Sequence, residues 1–330
     1  MTHPVHPERQ GARFASWTWR HWLEALVVLG LAPAVCLAAL VLAGVDNRGV
    51  DLLAQFTAPA LIATALLTVL LGLFRMKAAT TLAMLCAALL TAAVWPQWFP
   101  HGPAADADAP VVRLYSANLF YLNNDTAAIR RSIEAADADV LVLIELSGDQ
   151  ISKIDEVLDG YPYRSASIRL DRTRRPSRSL VASRWPLTAR TAPPAGLHAV
   201  AVTLRTPLGP LDVVAVHLTR PWPFQHSWGQ ISQTAALGAL VEDLNGPVVV
   251  AGDFNSVSTA RIGKQIQGDI ELHPASGFPG TWPSGLPSAL GVTIDQVYAS
   301  SDLAFVSRRL GRPTGSDHRP VVTEITRAAD

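Results

Sequence analysis

Two polar clusters late in the chain, Gly252-Asp253-Phe254-Asn255 and Gly315-Ser316-Asp317-His318-Arg319-Pro320, each abut an apolar run. The first follows Val248-Val249-Val250-Ala251 and the second precedes Val321-Val322. Strands of Val and Ala fold without carboxylates, amides or imidazoles at their tips, so such groups at a sheet edge point to an enzyme that presents them to a substrate. Other run ends carry the same types: Asn118 after Leu114-Tyr115-Ser116-Ala117, Glu145 after Leu141-Val142-Leu143-Ile144, His217 after Val213-Val214-Ala215-Val216, and Asp295 beside Thr293-Ile294. Carboxylates, amides and imidazoles are the groups that move protons and polarise bonds in reactive sites.

Each residue also has a structural reading. Asn118 can stabilise a turn after its strand, and Asp253 and Asn255 sit in Gly-Asp and Asn-Ser pairs that favour turns. His217 alone is ambiguous, and His226 and His273 read as surface or core histidines. Glu145 has little structural excuse, because a carboxylate directly after five apolar residues is otherwise an unpaired charge at a core edge.

The elements that must position these groups follow from hydrophobic periodicity. Strands are predicted at residues 111–116, 140–144, 179–182, 199–204, 211–216, 248–251, 296–299 and 321–325, and helices at 126–136, 150–158 and 228–244. Asp125-Thr126 caps the first of these helices. Strands that alternate with helices in places and pair by hairpins elsewhere predict a mixed α/β fold, a two-sheet sandwich with helices outside. Residues 111–330 suffice for one such domain, preceded by a polar linker, 101–110.

The first third is different. The 330-residue chain is 49% hydrophobic and 16% charged, and the apolar excess lies before residue 100. Three uncharged runs predict three transmembrane helices at about 23–45, 52–74 and 78–99, each near the ~20 residues that cross a hydrocarbon core. Trp95, Trp98 and Phe99 read as an interfacial aromatic belt. Arg9, Arg13 and Arg20 precede the first run and Arg75 and Lys77 separate the second from the third, whereas Asp46, Arg48 and Asp51 nearly cancel between the first two. The positive-inside rule therefore predicts a cytoplasmic segment at 1–22 and a periplasmic or extracellular domain after the third span. A cleaved signal peptide needs only one apolar run. Cys36 and Cys86 both fall in the apolar runs, so the domain that follows uses no disulfide or thiolate.

From Asp106 onward 21 Lys or Arg face 23 Asp or Glu. That balance lacks the basic excess of a protein that grips long duplex DNA by its phosphates. The exception is Arg169, Arg172, Arg174, Arg175 and Arg178, which with Arg220 are candidate substrate-binding residues. Such a loop is either solvated surface or a guanidinium clamp for a phosphate or pyrophosphate. Trp222, Phe224 and Trp228 are either core packing or contacts to an acyl or isoprenoid chain or to the bilayer.

The ordered series Asn118, Glu145, His217, Asp253 with Asn255, Asp295, and Asp317 with His318 resembles the endonuclease/exonuclease/phosphatase superfamily, over roughly residues 111 to 325. The resemblance implies a type I deoxyribonuclease-like sandwich and metal-dependent phosphoester hydrolysis with Mg²⁺, or alternatively Mn²⁺. It implies Glu145 as the main metal ligand, with Asn118 orienting the metal or its water and Asp317 close to the same cation. Asp253 then orients or deprotonates the attacking water, Asn255 and His217 donate to the phosphate, and Asp295 fixes the tautomer and charge of His318. Ser183-Arg184-Trp185-Pro186-Leu187 resembles a family strand end that shapes the fold more than the reaction. The three-span plan is similar to membrane-anchored bacterial members, among them the teicoplanin-resistance membrane protein. The expected substrate is a phosphorylated lipid or lipid-linked pyrophosphate; extracellular nucleic acid is the enzymatic alternative, and a non-catalytic envelope binding module is the second. The intact polar set argues against the last.

Overall fold

The computed structural model describes residues 18–168, 178–190, 193–220 and 227–329. Among the described residues four helices come first: α1 (Trp19–Leu42), α2 (Arg48–Ala54), α3 (Thr57–Leu73) and α4 (Lys77–Trp98). α1 and α4 are each long and apolar enough to cross a membrane, and α2 with α3, bent by 58° at their break, makes a third candidate. The second predicted span is thus broken. The Gln55 amide donates to Asp51 O at 3.0 Å and the Thr57 hydroxyl to Ala54 O at 2.9 Å, so polar side chains serve backbone carbonyls around the break.

The remaining chain runs β1 (Val112–Asn118), α5 (Thr126–Ala136), β2 (Val140–Leu146), α6 (Gly148–Ser152), α7 (Ile154–Val157), β3 (Tyr163–Ile168), β4 (Arg178–Ser183), β5 (Leu187–Ala189), β6 (Ala199–Thr206), β7 (Gly209–His217), α8 (Ser227–Glu242), β8 (Val248–Asp253), α9 (Arg261–Asp269), β9 (His273–Pro274), β10 (Asp295–Ala299), β11 (Leu303–Leu310) and β12 (Val321–Arg327). Two six-stranded sheets form, ordered β11-β12-β1-β2-β4-β3 and β5-β6-β7-β8-β10-β9. All eight predicted strands are present. The helix predicted over 150–158 is instead the short pair α6 and α7, interrupted at Lys153.

Period-two alternation explains the layering. Val112 and Leu114 of β1 meet Val213, Ala215, Val249 and Ala251 between the sheets. Tyr115 and Ala117 point the other way, onto Ile129 and Ile133 of α5. On the second sheet Val214, Val216, Val248 and Val250 pack outward against Leu237 and Leu240 of α8 and Ile262 and Ile266 of α9. The result is an α/β/β/α sandwich.

The topology gathers the functional tips. β1 and β2 are parallel, as are β7 and β8, so four strands end at one edge. Register sets His217 beside Asp253 and Asp295 beside Asp253. The antiparallel pairing of Ser116 with Val321 brings the chain out of the 315–320 segment to the same edge.

Candidate metal and catalytic site

Local backbone fixes several of these tips. Gly252 has φ +147°, and a Cβ there would collide with the Val216 carbonyl oxygen, so only glycine lets β7 and β8 close just before Asp253. Glu145 and Asn255 occupy the left-handed region at φ 56° and 49°. Non-glycine residues in that region concentrate at functional sites. Behind Glu145 a capping box locks the turn: Gln150 N–H donates to Ser147 Oγ at 3.1 Å, and Ser147 N–H to Gln150 Oε1 at 2.8 Å.

Asn118 joins the two halves of the site. Its Nδ2 donates to Glu145 Oε1 at 3.1 Å and to Asp253 Oδ2 at 3.0 Å, while its Oδ1 accepts from Phe120 N–H at 3.0 Å. His217 Nε2 stands 3.5 Å from Glu145 Oε1 and 3.9 Å from Asp253 Oδ2. On the other flank, His318 Nε2 is 3.9 Å from Asp253 Oδ2, and its Nδ1 is 2.9 Å from Asp295 Oδ2. The Asn255 side-chain amide donates to Leu218 O at 2.9 Å, and its backbone N–H donates to Asp253 Oδ1 at 2.8 Å.

The electrostatics favour a cation. Glu145 and Asp253 are 5% and 0% exposed, and among the described residues neither meets a Lys or Arg. The cation beside the pair is the His318 imidazolium, 3.9 Å from Asp253 Oδ2, which already faces the Asp295 carboxylate, so the buried carboxylates outnumber it. Glu145, His217 and Asp253 offer ligand atoms within 4.8 Å of one another, as do Asp253, Asp295 and His318. Asp317 lies outside both groups. Its Oδ2 accepts from Trp282 Nε1 at 3.3 Å, and its Oδ1 is buried without a hydrogen-bond partner among the described residues. Oxygen-rich, buried and short of positive charge, the site fits a hard divalent ion.

Burial pushes the Asp253 carboxyl above the ordinary range; His318 and His217 pull it back and Asp295 adds to the rise. For His318 burial disfavours the charged form, yet the Asp295 carboxylate at Nδ1, with Asp253 and Asp317 near, outweighs it and pushes the imidazole up to about 10.

Residues 115–318 match the Endonuclease/Exonuclease/phosphatase family. The chain belongs to that family. Among solved structures it is similar to the endonuclease/exonuclease/phosphatase from Beutenbergia cavernae DSM 12333, with 20% identity, TM-score 0.54, and 66% of this chain and 72% of that one covered. The endonuclease/exonuclease/phosphatase from Bacteroides vulgatus gives 13% identity and TM-score 0.54 over 66% and 98% of the two chains. A conserved protein of unknown function from Enterococcus faecalis V583 gives 15% and 0.53 over 66% and 100%. At these identities the likeness is one of fold. No curated protein matches the chain.

Asn118, Glu145, His217, Asp253, Asn255, Asp295, Asp317 and His318 therefore stand at one edge of the family's sandwich. Arg172, Arg174 and Arg175, with Arg169, Trp222 and Phe224, lie outside the described residues, as does the side chain of Trp228. Arg178 opens β4 opposite Leu146 and Ile168, so both anchors of the arginine-rich segment are at the site end. Arg220 is exposed, three residues beyond His217. Ser183 pairs with Val140 at the opposite end, where Arg184 salt-bridges Asp137 at 2.6 Å.

Four supporting residues escaped the sequence reading. Thr281 Oγ1 accepts from the Asp295 backbone N–H at 3.3 Å, and Trp282 holds Asp317. Gln230 Nε2 donates to Phe254 O at 2.7 Å. Ser316 Oγ donates to Asn118 O at 2.8 Å while accepting from His318 N–H at 3.1 Å. Only Ser316, inside a motif already singled out, carried a signal, since serine before such a turn commonly bonds the backbone two residues on.

Proposed function

We propose that this family member is a membrane-anchored, divalent-metal-dependent phosphoesterase acting on a phosphorylated lipid or lipid-linked pyrophosphate on the extracytoplasmic side. The observation that carries this reading is the buried Glu145–Asn118–Asp253 cluster, flanked by His217 and by His318–Asp295, in a chain whose first third is apolar helix. The lipid preference is supported by the membrane helices, the near-neutral charge of the domain and the arginines at the site end. The likeness to the teicoplanin-resistance protein rests on span plan and motif order. The cation asymmetry of the loops supports the orientation.

Glu145 is assigned as principal ligand of Mg²⁺ or Mn²⁺, with Asp317 close to the same cation and Asn118 orienting the site by holding Glu145 and Asp253 through its amide hydrogens. When bound, the metal neutralises phosphate oxygens and stabilises the charge that builds at phosphorus. The raised Asp253 carboxyl is suited to accept a proton from the attacking water. His318, held charged by Asp295, offers Nε2 as a donor to a phosphate oxygen, and His217 offers a second. Asn255, restrained by Leu218 O, keeps one amide hydrogen for the substrate.

The test is Mg²⁺-dependent hydrolysis by the full-length protein in detergent, comparing undecaprenyl pyrophosphate, phospholipids, and single- and double-stranded DNA, with Glu145→Ala as control. Lipid cleavage abolished by the substitution is expected. Cleavage of DNA alone replaces the reading with that of an extracytoplasmic nuclease. Neither metal binding nor phosphate release leaves a binding module.

A further inference from the structure

The helices touch the catalytic domain at its site end. Gln55, 7% exposed, accepts from Val257 N–H at 2.7 Å, two residues beyond Asn255. Arg261 salt-bridges Asp51 at 3.1 Å, and Lys264 donates to Val41 O at 3.1 Å. Between these polar ties Leu37, Val41, Ala54 and Ala93 pack on Val257 and Ala260. A second set of ties comes from the end of α4. Gly277 N–H donates to Gln97 O at 2.6 Å, Ser276 Oγ donates to Trp98 O at 2.7 Å, and the Phe278 ring lies 5.0 Å from that of Trp98.

The chain path gives the direction. After Trp98 it passes Gly102 against His273, pairs Ala105 with Ala328 and only then enters β1 opposite Ile325. It thus travels from the site end to the far end before β1 begins, and β1 returns about 20 Å to Asn118. The site end is therefore the one nearest the helix termini, which for spanning helices lie at the bilayer surface.

Two loops frame that end. The segment 275–292 runs from the Trp98 contact to the catalytic edge, where Trp282 and Ser284 N–H hold Asp317 and Arg319 caps Ser284 O at 2.7 Å. Residues 119–124 lie beside Glu145, whose Oε2 accepts from Tyr121 N–H at 3.4 Å. Of the seven exposed large apolar side chains among the described residues from 111 onward, Tyr121, Leu122, Phe278 and Leu286 fall on these two loops, while Val111, Tyr163 and Val306 lie singly elsewhere. Scattered exposed apolar residues need no explanation, but a set gathered around a site mouth beside membrane helices does.

We propose that loops 119–124 and 275–292 form a bilayer-contacting rim. Tyr121, Leu122, Phe278 and Leu286 seat in the headgroup layer of the membrane that holds α1, α3 and α4, and the ties from Asp51, Gln55 and Gln97 keep the mouth of the site there. This deepens the phosphoesterase reading, on which it rests only for what the site does, by giving a lipid phosphate a path that never leaves the bilayer surface.

The full-length protein in phosphatidylethanolamine/phosphatidylglycerol liposomes decides it, with Cys36→Ala and Cys86→Ala as background and nitroxide labels carried by Leu122→Cys, Leu286→Cys or Tyr163→Cys. Tyr163 is exposed and pairs with Ser183 at the far end, which makes it the aqueous control. Labels at 122 and 286 are expected to relax several-fold more with oxygen than with a water-soluble nickel chelate, and the label at 163 the reverse. Equal nickel access at all three positions overturns the rim. Phosphate release from the same samples is a separate readout: its absence on every substrate sinks the phosphoesterase reading, while label accessibility still decides the rim.

Discussion

His318 Nδ1 lies 2.9 Å from Asp295 Oδ2, with both side chains buried beside Asp253. This pair makes stability depend on pH in a definite direction. The folded imidazole sits up at about 10, against roughly 6.5 in an unfolded chain. Folding therefore favours the protonated form, and the stabilisation is complete below ~6.5 and lost as pH climbs through the folded value. In EDTA, the melting temperature of wild type relative to His318→Gln should show its largest margin near pH 6 and a shrinking one toward pH 10. A margin that stays constant or grows with pH refutes the assignment.

Glu145 and Asp253 share one amide, Nδ2 of Asn118, with no Lys or Arg against them among the described residues. Two buried carboxylates so placed repel each other, and the His318 imidazolium, 3.9 Å from Asp253 and shared with Asp295, offsets only part of that charge. Glu145→Gln keeps the shape and removes one charge, so in EDTA the variant should melt no lower than wild type. Adding Mg²⁺ should then stabilise wild type, by ~2.7 kcal/mol at a hundredfold excess over Kd, and leave the variant unmoved. Calorimetry with and without metal checks both halves, and an Mg²⁺ response surviving in Glu145→Gln removes this residue as principal ligand.

Gly252 tests the scaffold rather than the chemistry. Its φ of +147° and the blocked Cβ position mean that alanine must push β7 and β8 apart. Gly252→Ala should destabilise by about 2–4 kcal/mol and displace Asp253, with loss of Mg²⁺ binding. Denaturant unfolding and metal titration on purified protein read this; a loss under 0.5 kcal/mol means that the strands tolerate the methyl group.

The site was legible where apolar runs end on groups a core cannot use, as at Glu145 and Asp253. The sandwich was legible because its strands alternate or run fully apolar. β11 was not, since Ser307, Arg308 and Arg309 break the apolar pattern of an edge strand whose outer positions are largely exposed. Nor was the bend between α2 and α3, which falls inside an uncharged run where Gln55 looks like mere dilution. Its partner Val257 is 202 residues away, and no local periodicity encodes a contact of that separation. Trp282 escaped for the same reason, because its polar tip matters only once Asp317 folds against it.

Gln55 yields the last prediction. Its Oε1 is the acceptor for the Val257 backbone N–H, and both residues are buried where the helices meet the catalytic domain. Gln55→Leu suits an apolar run better but strands that N–H, which costs about 1–3 kcal/mol. Gln55→Glu retains an oxygen at the same reach. Hydrogen exchange on the full-length protein in detergent should therefore show faster exchange across residues 256–260 in Gln55→Leu, with partial recovery of protection in Gln55→Glu, which keeps the acceptor for Val257 N–H but gives up the amide hydrogen that Asp51 O accepts. The segment carrying Asp253 and Asn255 adjoins this tie directly, so the leucine variant should also lower turnover more than it raises KM. Unchanged exchange at Val257 in the leucine variant means that the helices hold the domain without gripping its catalytic edge.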